Sequence, residues 1–181
     1  MANRWIVTAL GKDQSGIVAG VTQVLYQLGC NLEDSAMTRL EGEFAVMLIF
    51  SAPAAKTEAV LRKGFAPLEK RMKLVIHLKP LTKAETGAPK KRGAAYLISV
   101  YGADKPGIVF RVSEALAKSG ANITDVHTHR SAEGGPSLYM VLLEVEIPHS
   151  KSADAVERAL QQTAKRLGVE VSLRASEADV L

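Results

Sequence analysis

The chain has 181 residues, of which 47% are hydrophobic and 23% are charged, and its formal net charge is +4. This composition is too apolar for a disordered chain, and the longest apolar runs are well short of a membrane span. Because Cys30 is the single cysteine, an intrachain disulfide and a cysteine zinc cluster are excluded. The first residues also lack the layout of a signal peptide, so we expect a cytoplasmic protein without a membrane partner.

The first half of the chain predicts four strands and two helices. Residues 4–10 form a short apolar, β-prone run that ends at Gly11, which is typical of a strand. From Gly16 onward the apolar residues recur at helical spacing, and Gly29 follows the last of them, where a left-handed helix cap is expected. Pro67 is expected to kink or shorten the second helix. The remaining predicted elements are strands at 31–39, 44–50 and 73–78 and a helix at 54–70.

The second half repeats this order at a fixed offset of 91 residues. The stretch from Gly102 to Asp125 aligns without a gap with Gly11 to Asp34, and ten positions are identical. An internal repeat of this length indicates two copies of one small domain. The predicted elements of the second copy are strands at 96–101, 122–130, 138–147 and 169–174, a helix from 108 that ends at Gly120, and a helix capped by Ser150 or Ser152.

Each copy therefore predicts the order βαββαβ, which is the ferredoxin-like arrangement of an α+β domain. In that arrangement an antiparallel sheet carries both helices on one face. We place the first domain at residues 1–80, a linker at 81–93 and the second domain at 94–181. Residues 79–93 hold five basic residues and one acidic residue, a net +4 that equals the charge of the whole chain. Since this stretch is also rich in proline and glycine, it predicts a flexible basic linker rather than a nucleic-acid-binding face.

Two strands predict a covered surface. Residues 44–50 and 138–143 are apolar on both alternating sets of side chains, so both faces of these strands are expected to be buried. The helices of one domain cover only one of the two faces. We therefore expect the other face to be covered by the sister domain, by a second chain in a homodimer, or by both.

The loop ahead of each first helix is the best candidate for a binding site. These loops are residues 11–16 and 102–107, and small residues occupy the point where strand becomes helix. Free N–H groups at a helix N-terminus can hold a carboxylate, aided by the helix dipole. Asp13 and Asp104 are alternatively simple helix caps, with Pro106 opening the helix of the second copy. The glycines either allow close approach of a ligand to the backbone or serve only the turn.

Asn31 and Asn122 begin the second strand of each copy. A side-chain amide offers both a donor and an acceptor, which suits a zwitterionic ligand, and the alternative is a turn asparagine that bonds its own backbone. His127 and His129 lie two apart on a strand and are interpreted as exposed side chains, since two ligands alone do not make a structural zinc site. The sequence contains no phosphate-binding loop, dinucleotide fingerprint, metal-binding helix or catalytic constellation, so we expect neither enzyme activity nor a cofactor.

The residues around the two loops resemble the ACT domain family. The pattern of that family is a strand, then D-x-P-G-[IL]-[LV], a helix, and G-x-N-I at the second strand. The second copy matches this pattern at Asp104, Pro106, Gly107, Ile108, Gly120, Asn122 and Ile123. The first copy matches it at Asp13, Gly16, Ile17, Gly29, Asn31 and Leu32, with Ser15 in place of the proline.

This resemblance implies that the ligand is a small amino acid. ACT domains bind such ligands at interfaces between domains, through the loop ahead of the first helix and the start of the second strand. The implied ligand-binding residues are Asp13, Gly16, Ile17, Asn31 and Leu32 in the first copy and Asp104, Gly107, Ile108, Asn122 and Ile123 in the second.

A chain made of two such domains implies a regulator rather than an enzyme. The resemblance implies that it senses glycine and represses the genes for glycine cleavage by contacting a protein partner, a transcriptional activator, without binding nucleic acid itself. Three other functions stay open: a detached regulatory subunit of an amino-acid biosynthetic enzyme, direct DNA binding through the basic linker, and an enzyme in its own right. Co-purification with an enzyme favours the first of these, and steeply salt-dependent affinity for a duplex favours the second.

Overall fold

The computed structural model describes residues 3–82, 93–131 and 137–176. The chain divides into two compact units, and each has the order βαββαβ. The elements of the first unit are β1 (Asn3–Lys12), α1 (Ile17–Gln27), β2 (Asn31–Leu40), β3 (Glu43–Ala52), α2 (Glu58–Met72) and β4 (Val75–Pro80). The elements of the second unit are β5 (Gly93–Ala103), α3 (Ile108–Lys118), β6 (Asn122–Ser131), β7 (Leu138–Pro148), α4 (Ala153–Leu167) and β8 (Val169–Ala175). The predicted fold class, two ferredoxin-like α+β domains in tandem, is confirmed.

Each unit is built on one antiparallel sheet of four strands. The strand orders are β2-β3-β1-β4 and β6-β7-β5-β8. The central pairs are β1 with β3 and β5 with β7, and these strands contain the longest apolar runs. Among the described strands, β2, β4, β6 and β8 are the edges of these sheets, and one row of backbone groups on each has no partner there.

Alternation of side chains places the core of each unit between its sheet and its helices. On β1, Trp5, Val7 and Ala9 are buried, whereas the residues between them are less so. Helix α1 packs on the same core through residues four positions apart, Ile17, Val21 and Leu25. Full burial of one large apolar side chain contributes roughly 1.5–3 kcal/mol, so these contacts fix the helix layer to one face of the sheet.

The opposite face of each sheet stays partly open. Met47 on β3 keeps 48% of its surface exposed, and Met140 on β7 keeps 38%. The helices of each unit cover one face only, and the expectation that another surface covers the other face stays a prediction. The neighbouring Val141 has the opposite parity and is buried in the core.

The backbone conformation tests the predictions of where the helices begin and end. Gly29 and Gly120 adopt left-handed conformations, with φ of 69° and 76°, as expected for residues that end helices. Helix α2 begins at Glu58 rather than at residue 54 and continues past Pro67 to Met72, so the proline does not shorten it. Pro67 lies on the exposed side of the helix, where water can satisfy the carbonyl that loses its amide partner.

Most of the predicted linker, residues 83–92, lies outside the described part of the chain, and Gly93 already belongs to β5. None of the helices in the described ranges combines the length and the apolar composition that crossing a membrane requires.

Candidate functional site

A glycine in a left-handed conformation precedes the first helix of each unit. Gly16 has a φ of 94° and Gly107 a φ of 93°, in a region that L side chains rarely adopt. The first helical hydrogen bonds run from Gly20 N to Gly16 O, at 2.8 Å, and from Arg111 N to Gly107 O, at 2.9 Å. Amides ahead of these donors have no acceptor within the helix. Since the first turns read IVAG and IVFR, without an acidic residue, both helix ends offer donors and the positive end of the dipole to an anion.

The two loop aspartates point to the second strand and do not cap the helices. In each unit the N-cap residue is the glycine, and no described side chain bonds the helix amides at that position. Asp13 Oδ2 lies 3.4 Å from Arg39 Nη1, and Asp104 Oδ2 lies 2.9 Å from Arg130 Nε. The capping interpretation is therefore wrong, because each carboxylate is engaged by an arginine of β2 or β6.

Two backbone bonds tie the loops to the neighbouring hairpins. The amide of Asp13 donates to Gly42 O at 2.8 Å, and the amide of Asp104 donates to Ser137 O at 2.9 Å. Gly42 lies in the turn between β2 and β3, and Ser137 directly precedes β7. Each loop is thus fixed on one side by the hairpin that carries its arginine.

The next residue of each loop fixes the other side. Gln14 Nε2 donates to Met72 O at 3.0 Å, and Lys105 Nζ donates to Leu167 O at 3.3 Å. These carbonyls lie at the C-terminal ends of α2 and α4, where the last carbonyls lack helical partners. The amides at the start of α1 and α3 are therefore held in place before any ligand arrives.

Sequence reasoning missed these anchoring residues. Arg39 and Arg130 are identical at the same offset of 91 residues, so extending the repeat by five positions would have identified them. Gln14 and Lys105 differ in type and share only the ability to donate a hydrogen bond. A comparison based on identity does not detect that shared role.

In the second unit, the loop lines a depression of about 320 Å³. Its walls are the loop from Asp104 to Gly107, the first turn of α3, and Tyr139 of β7. Three of the predicted site residues, Asp104, Gly107 and Ile108, therefore share one concave surface. The side chain of Ile108 is buried in the core, so this residue can offer its amide to a ligand but not its side chain. The volume lies at the small end of ligand sites.

Asn31 and Asn122 lie at the far end of their own units. Asn31 pairs with Ser51, which pairs with Arg4 near the start of β1, whereas the loop follows the other end of β1. Helix α1, which joins the two ends, has 11 residues and is about 16 Å long. Asn31 and Gly16 of one unit therefore do not contact the same small ligand, and the matching register places Asn122 equally far from its loop.

The far end of each unit lies on an exposed edge strand. Leu32 is exposed, and Ile123 is half-buried against the core of its unit. All ten residues of β2 are exposed, as are nine of the ten residues of β6. Such an edge can accept another strand, so the asparagines lie on a surface that is open to a second chain.

The other candidate side chains do not form a reactive or metal-binding group. His127 Nε2 lies 3.0 Å from Asp125 Oδ2, and both side chains are exposed, which agrees with the prediction of exposed strand histidines. Within residues 3–82, 93–131 and 137–176, no cluster of three or more histidine, cysteine and acidic side chains is placed to hold a metal ion. Partial burial raises the pKa of the Cys30 thiol, against a smaller opposing effect of Lys56, so Cys30 is a poor nucleophile at neutral pH.

The sequence model of the ACT domain matches residues 3–79 and 95–174. Over 172 residues, the chain is 26% identical to the glycine cleavage system transcriptional repressor of Escherichia coli K12, and the match covers 94% of this chain and 87% of that protein. Over 73 residues, it is 36% identical to a UPF0237 protein of Streptococcus mutans, covering 40% of this chain and 83% of that protein.

Two solved structures share the fold over almost the whole chain. An unknown protein from Galdieria sulphuraria superposes with a TM-score of 0.79 at 27% identity, covering 97% of this chain and 99% of that one. A structure assigned provisionally as a glycine cleavage system transcriptional repressor superposes with a TM-score of 0.70 at 18% identity, covering 96% and 97%. At that identity the second likeness establishes the fold alone.

Proposed function

Because the chain belongs to the ACT domain family through both of its units, we propose that it is a regulatory protein that binds a small amino acid and is not an enzyme. The observation that carries the proposal is the geometry shared by the two loops. Each has a left-handed glycine, helix amides without helical partners, and a loop aspartate already engaged by an arginine. A site with this arrangement binds and orients an anion.

The amino-acid ligand binds through its carboxylate at the start of α3. The amides of Ile108 and Val109 donate to it, and the dipole of the helix adds to the attraction. The ammonium group of the ligand needs an acceptor other than Asp104, because Arg130 engages that carboxylate at 2.9 Å. A side-chain amide oxygen is neutral and available, which is the role we assign to an asparagine at the start of a second strand.

A second copy of the chain supplies that asparagine. Arg130, near the end of β6, contacts the loop, whereas Asn122 begins the same strand. If two β6 edges pair antiparallel across a two-fold axis, the start of one strand lies beside the end of the other. Asn122 of the second copy then approaches the Gly107 loop of the first. This arrangement makes the protein a homodimer whose ligand sites need both copies.

Glycine is the proposed ligand, and repression of glycine cleavage genes is the proposed output. The support for both is the relative in Escherichia coli, which is named as the transcriptional repressor of the glycine cleavage system and matches 94% of this chain. Glycine also fits a depression at the small end of ligand sites. Ligand binding changes the activity of the protein only through a difference in affinity between two of its states.

The proposed output runs through a protein partner, a transcriptional activator in the cytoplasm, and not through DNA. Both helices of each unit use one face for their own sheet, so neither is a free recognition helix. Away from residues 79–93 the charges of the chain sum to zero, which gives no broad basic field for phosphates.

The test is a calorimetric titration of the purified chain with each of the twenty amino acids, followed by capture of partners with and without the ligand found. We expect heat with glycine and glycine-dependent capture of an activator. Heat from none of the amino acids overturns the sensor proposal. Capture of a biosynthetic enzyme instead of an activator makes the chain a regulatory subunit, and tight binding of a duplex by the chain alone overturns the proposed protein contact.

A further inference from the structure

The two units differ in the packing between their helices, although their folds match. In the first unit the helices are in close contact through two glycines. A Cβ atom added to Gly20 would lie 2.7 Å from Leu68 Cδ1, and one added to Gly64 would lie 2.9 Å from Leu28 Cδ1. The two leucine side chains therefore fill the space between α1 and α2.

In the second unit both of these leucines are replaced by hydroxyl residues. Ser119 stands at the position of Leu28, and Thr163 at the position of Leu68. Both hydroxyls donate to carbonyls of their own helices one turn earlier, at 2.8 Å and 2.9 Å, so they need no partner across the groove. The exchange removes a buried apolar side chain at the position of Leu68 and a half-buried one at the position of Leu28. An open groove of about 540 Å³ lies between α3 and α4.

Three cations line this groove with one carboxylate. Arg111 and Lys118 occupy the positions of an uncharged glycine and glutamine in the first unit, and Arg166 completes the group from α4. Glu114 lies 2.9 Å from Lys118 Nζ and 3.3 Å from Arg111 Nη1. The hydrogen bond and charge of Lys118, with a smaller effect of Arg111, lower the pKa of Glu114, so the carboxylate is ionised at neutral pH. The groove therefore has a net charge of +2.

We propose that the α3–α4 groove is a second ligand site, which binds a small dianion such as a phosphate monoester or a short dicarboxylate. Guanidinium groups match the planar oxygen pairs of carboxylates and phosphates, and the groove presents one from each helix. Its volume is typical of small-molecule sites, and its net charge balances two negative charges. The site is separate from the Gly107 loop, so it does not depend on amino-acid binding there.

The first experiment measures binding of inorganic phosphate and of succinate to the full chain by calorimetry at low salt. We expect one of the two to bind, and the choice distinguishes a phosphate ligand from a dicarboxylate. Arg111→Gln and Arg166→Gln should each weaken that binding about tenfold, because each removes charged hydrogen bonds. The matched control is Arg71→Gln, at the position of Arg166 in the first unit, which should leave the affinity unchanged. Binding of neither anion, or equal losses in control and groove variants, overturns the proposal.

Two further variants separate ligand binding from a purely structural role. Glu114→Gln removes the competing carboxylate and should tighten anion binding, whereas a structural ion pair predicts no gain. The double variant Ser119→Leu/Thr163→Leu fills the groove and should abolish binding, with folding checked by circular dichroism, because Arg111 and Ala159 carry Cβ atoms where the first unit has Gly20 and Gly64. If the double variant fails to fold, Glu114→Gln still decides, since unchanged or weaker binding there contradicts the proposal.

Discussion

Gly16 and Gly107 are the residues on which the loop geometry depends most directly. At a φ near +94°, an L side chain costs about 1–2 kcal/mol because its Cβ crowds the following carbonyl. We predict that Gly16→Ala lowers the stability of the first unit by this amount. Trp5 is the only tryptophan and is buried in that unit, so its fluorescence during urea unfolding reports the change.

The matched control is Gly42→Ala. A Cβ at Gly42 would meet no atom within 4 Å, and Gly42 is not among the glycines with positive φ. Its unfolding midpoint should stay close to that of the parent chain. Equal midpoints for the two variants would show that the left-handed conformation of Gly16 carries no strain for alanine.

Asn122 is the residue on which the proposed ligand contact depends. Asn122→Ala should weaken amino-acid binding by about 0.5–1.5 kcal/mol, the usual net value of one hydrogen bond. The side chain is exposed at the start of β6, so the fold should be unaffected. Calorimetry on this variant is compared with Thr124→Ala, which changes another exposed polar residue two positions along the strand. An Asn122→Ala variant that binds like the parent removes the asparagine from the site.

At the scale of elements, the open faces of the two sheets make a further prediction about assembly. A carboxylate at Met47 or Met140 places charge in a partly exposed apolar surface, and burying an unpaired charge against a second copy is costly. Met47→Glu and Met140→Glu should therefore weaken any contact between copies that covers this face in addition to the proposed pairing of β6 edges, as measured by sedimentation velocity. Gln23→Glu, on the exposed side of α1, is the control. If both methionine variants sediment like the parent, the open face is not the dimer contact.

Val141→Glu does not serve this purpose, although the sequence makes it look equivalent. Val141 is 1% exposed in the core of the second unit, so a carboxylate there should unfold the unit rather than dissociate copies. Sequence alone does not reveal the difference, because residues 138–143 are apolar at both parities. Which face of a strand is buried can be predicted from sequence only when one of its two alternating sets of side chains is polar.

The elements themselves were predictable because the helices have a clear period and the central strands are short apolar runs. Helical spacing from Ile17 to Leu25 and the glycine that follows gave α1 and its end, and the gapless repeat transferred both to α3. The contact of Asp13 with Arg39 was not predictable, because it depends on the register of β2 against β3. That register includes a bulge between Leu32 and Asp34, which changes the face of every later residue on the strand.

At the scale of the whole molecule, the two units are copies of one domain. Comparing them distinguishes the features that both units have from those that only the second unit has. Both keep the left-handed glycine and the aspartate–arginine contact, and both keep the donor to the end of the second helix. Only the second unit has polar residues in place of both leucines between its helices. We infer that the shared features serve the amino acid, whereas the exchanged residues serve a function that belongs to the second unit.

The central claim is that one copy supplies the loop and the other supplies the asparagine. Gly107→Val disables the loop, and Asn122→Glu places a carboxylate against that of the ligand. In a mixed dimer of these two variants, one site has both defects and the other has neither. Any binding by the first unit is the same in all samples and serves as a baseline.

The decisive measurement is therefore calorimetric titration of an equimolar mixture of the two variants after exchange of copies, which mass spectrometry verifies. Each variant alone should show no binding by the second unit. The mixture should recover about one quarter of the sites of the parent, because half of the dimers are mixed and each holds one intact site. Exchange without any recovery of binding would contradict a site shared between two copies.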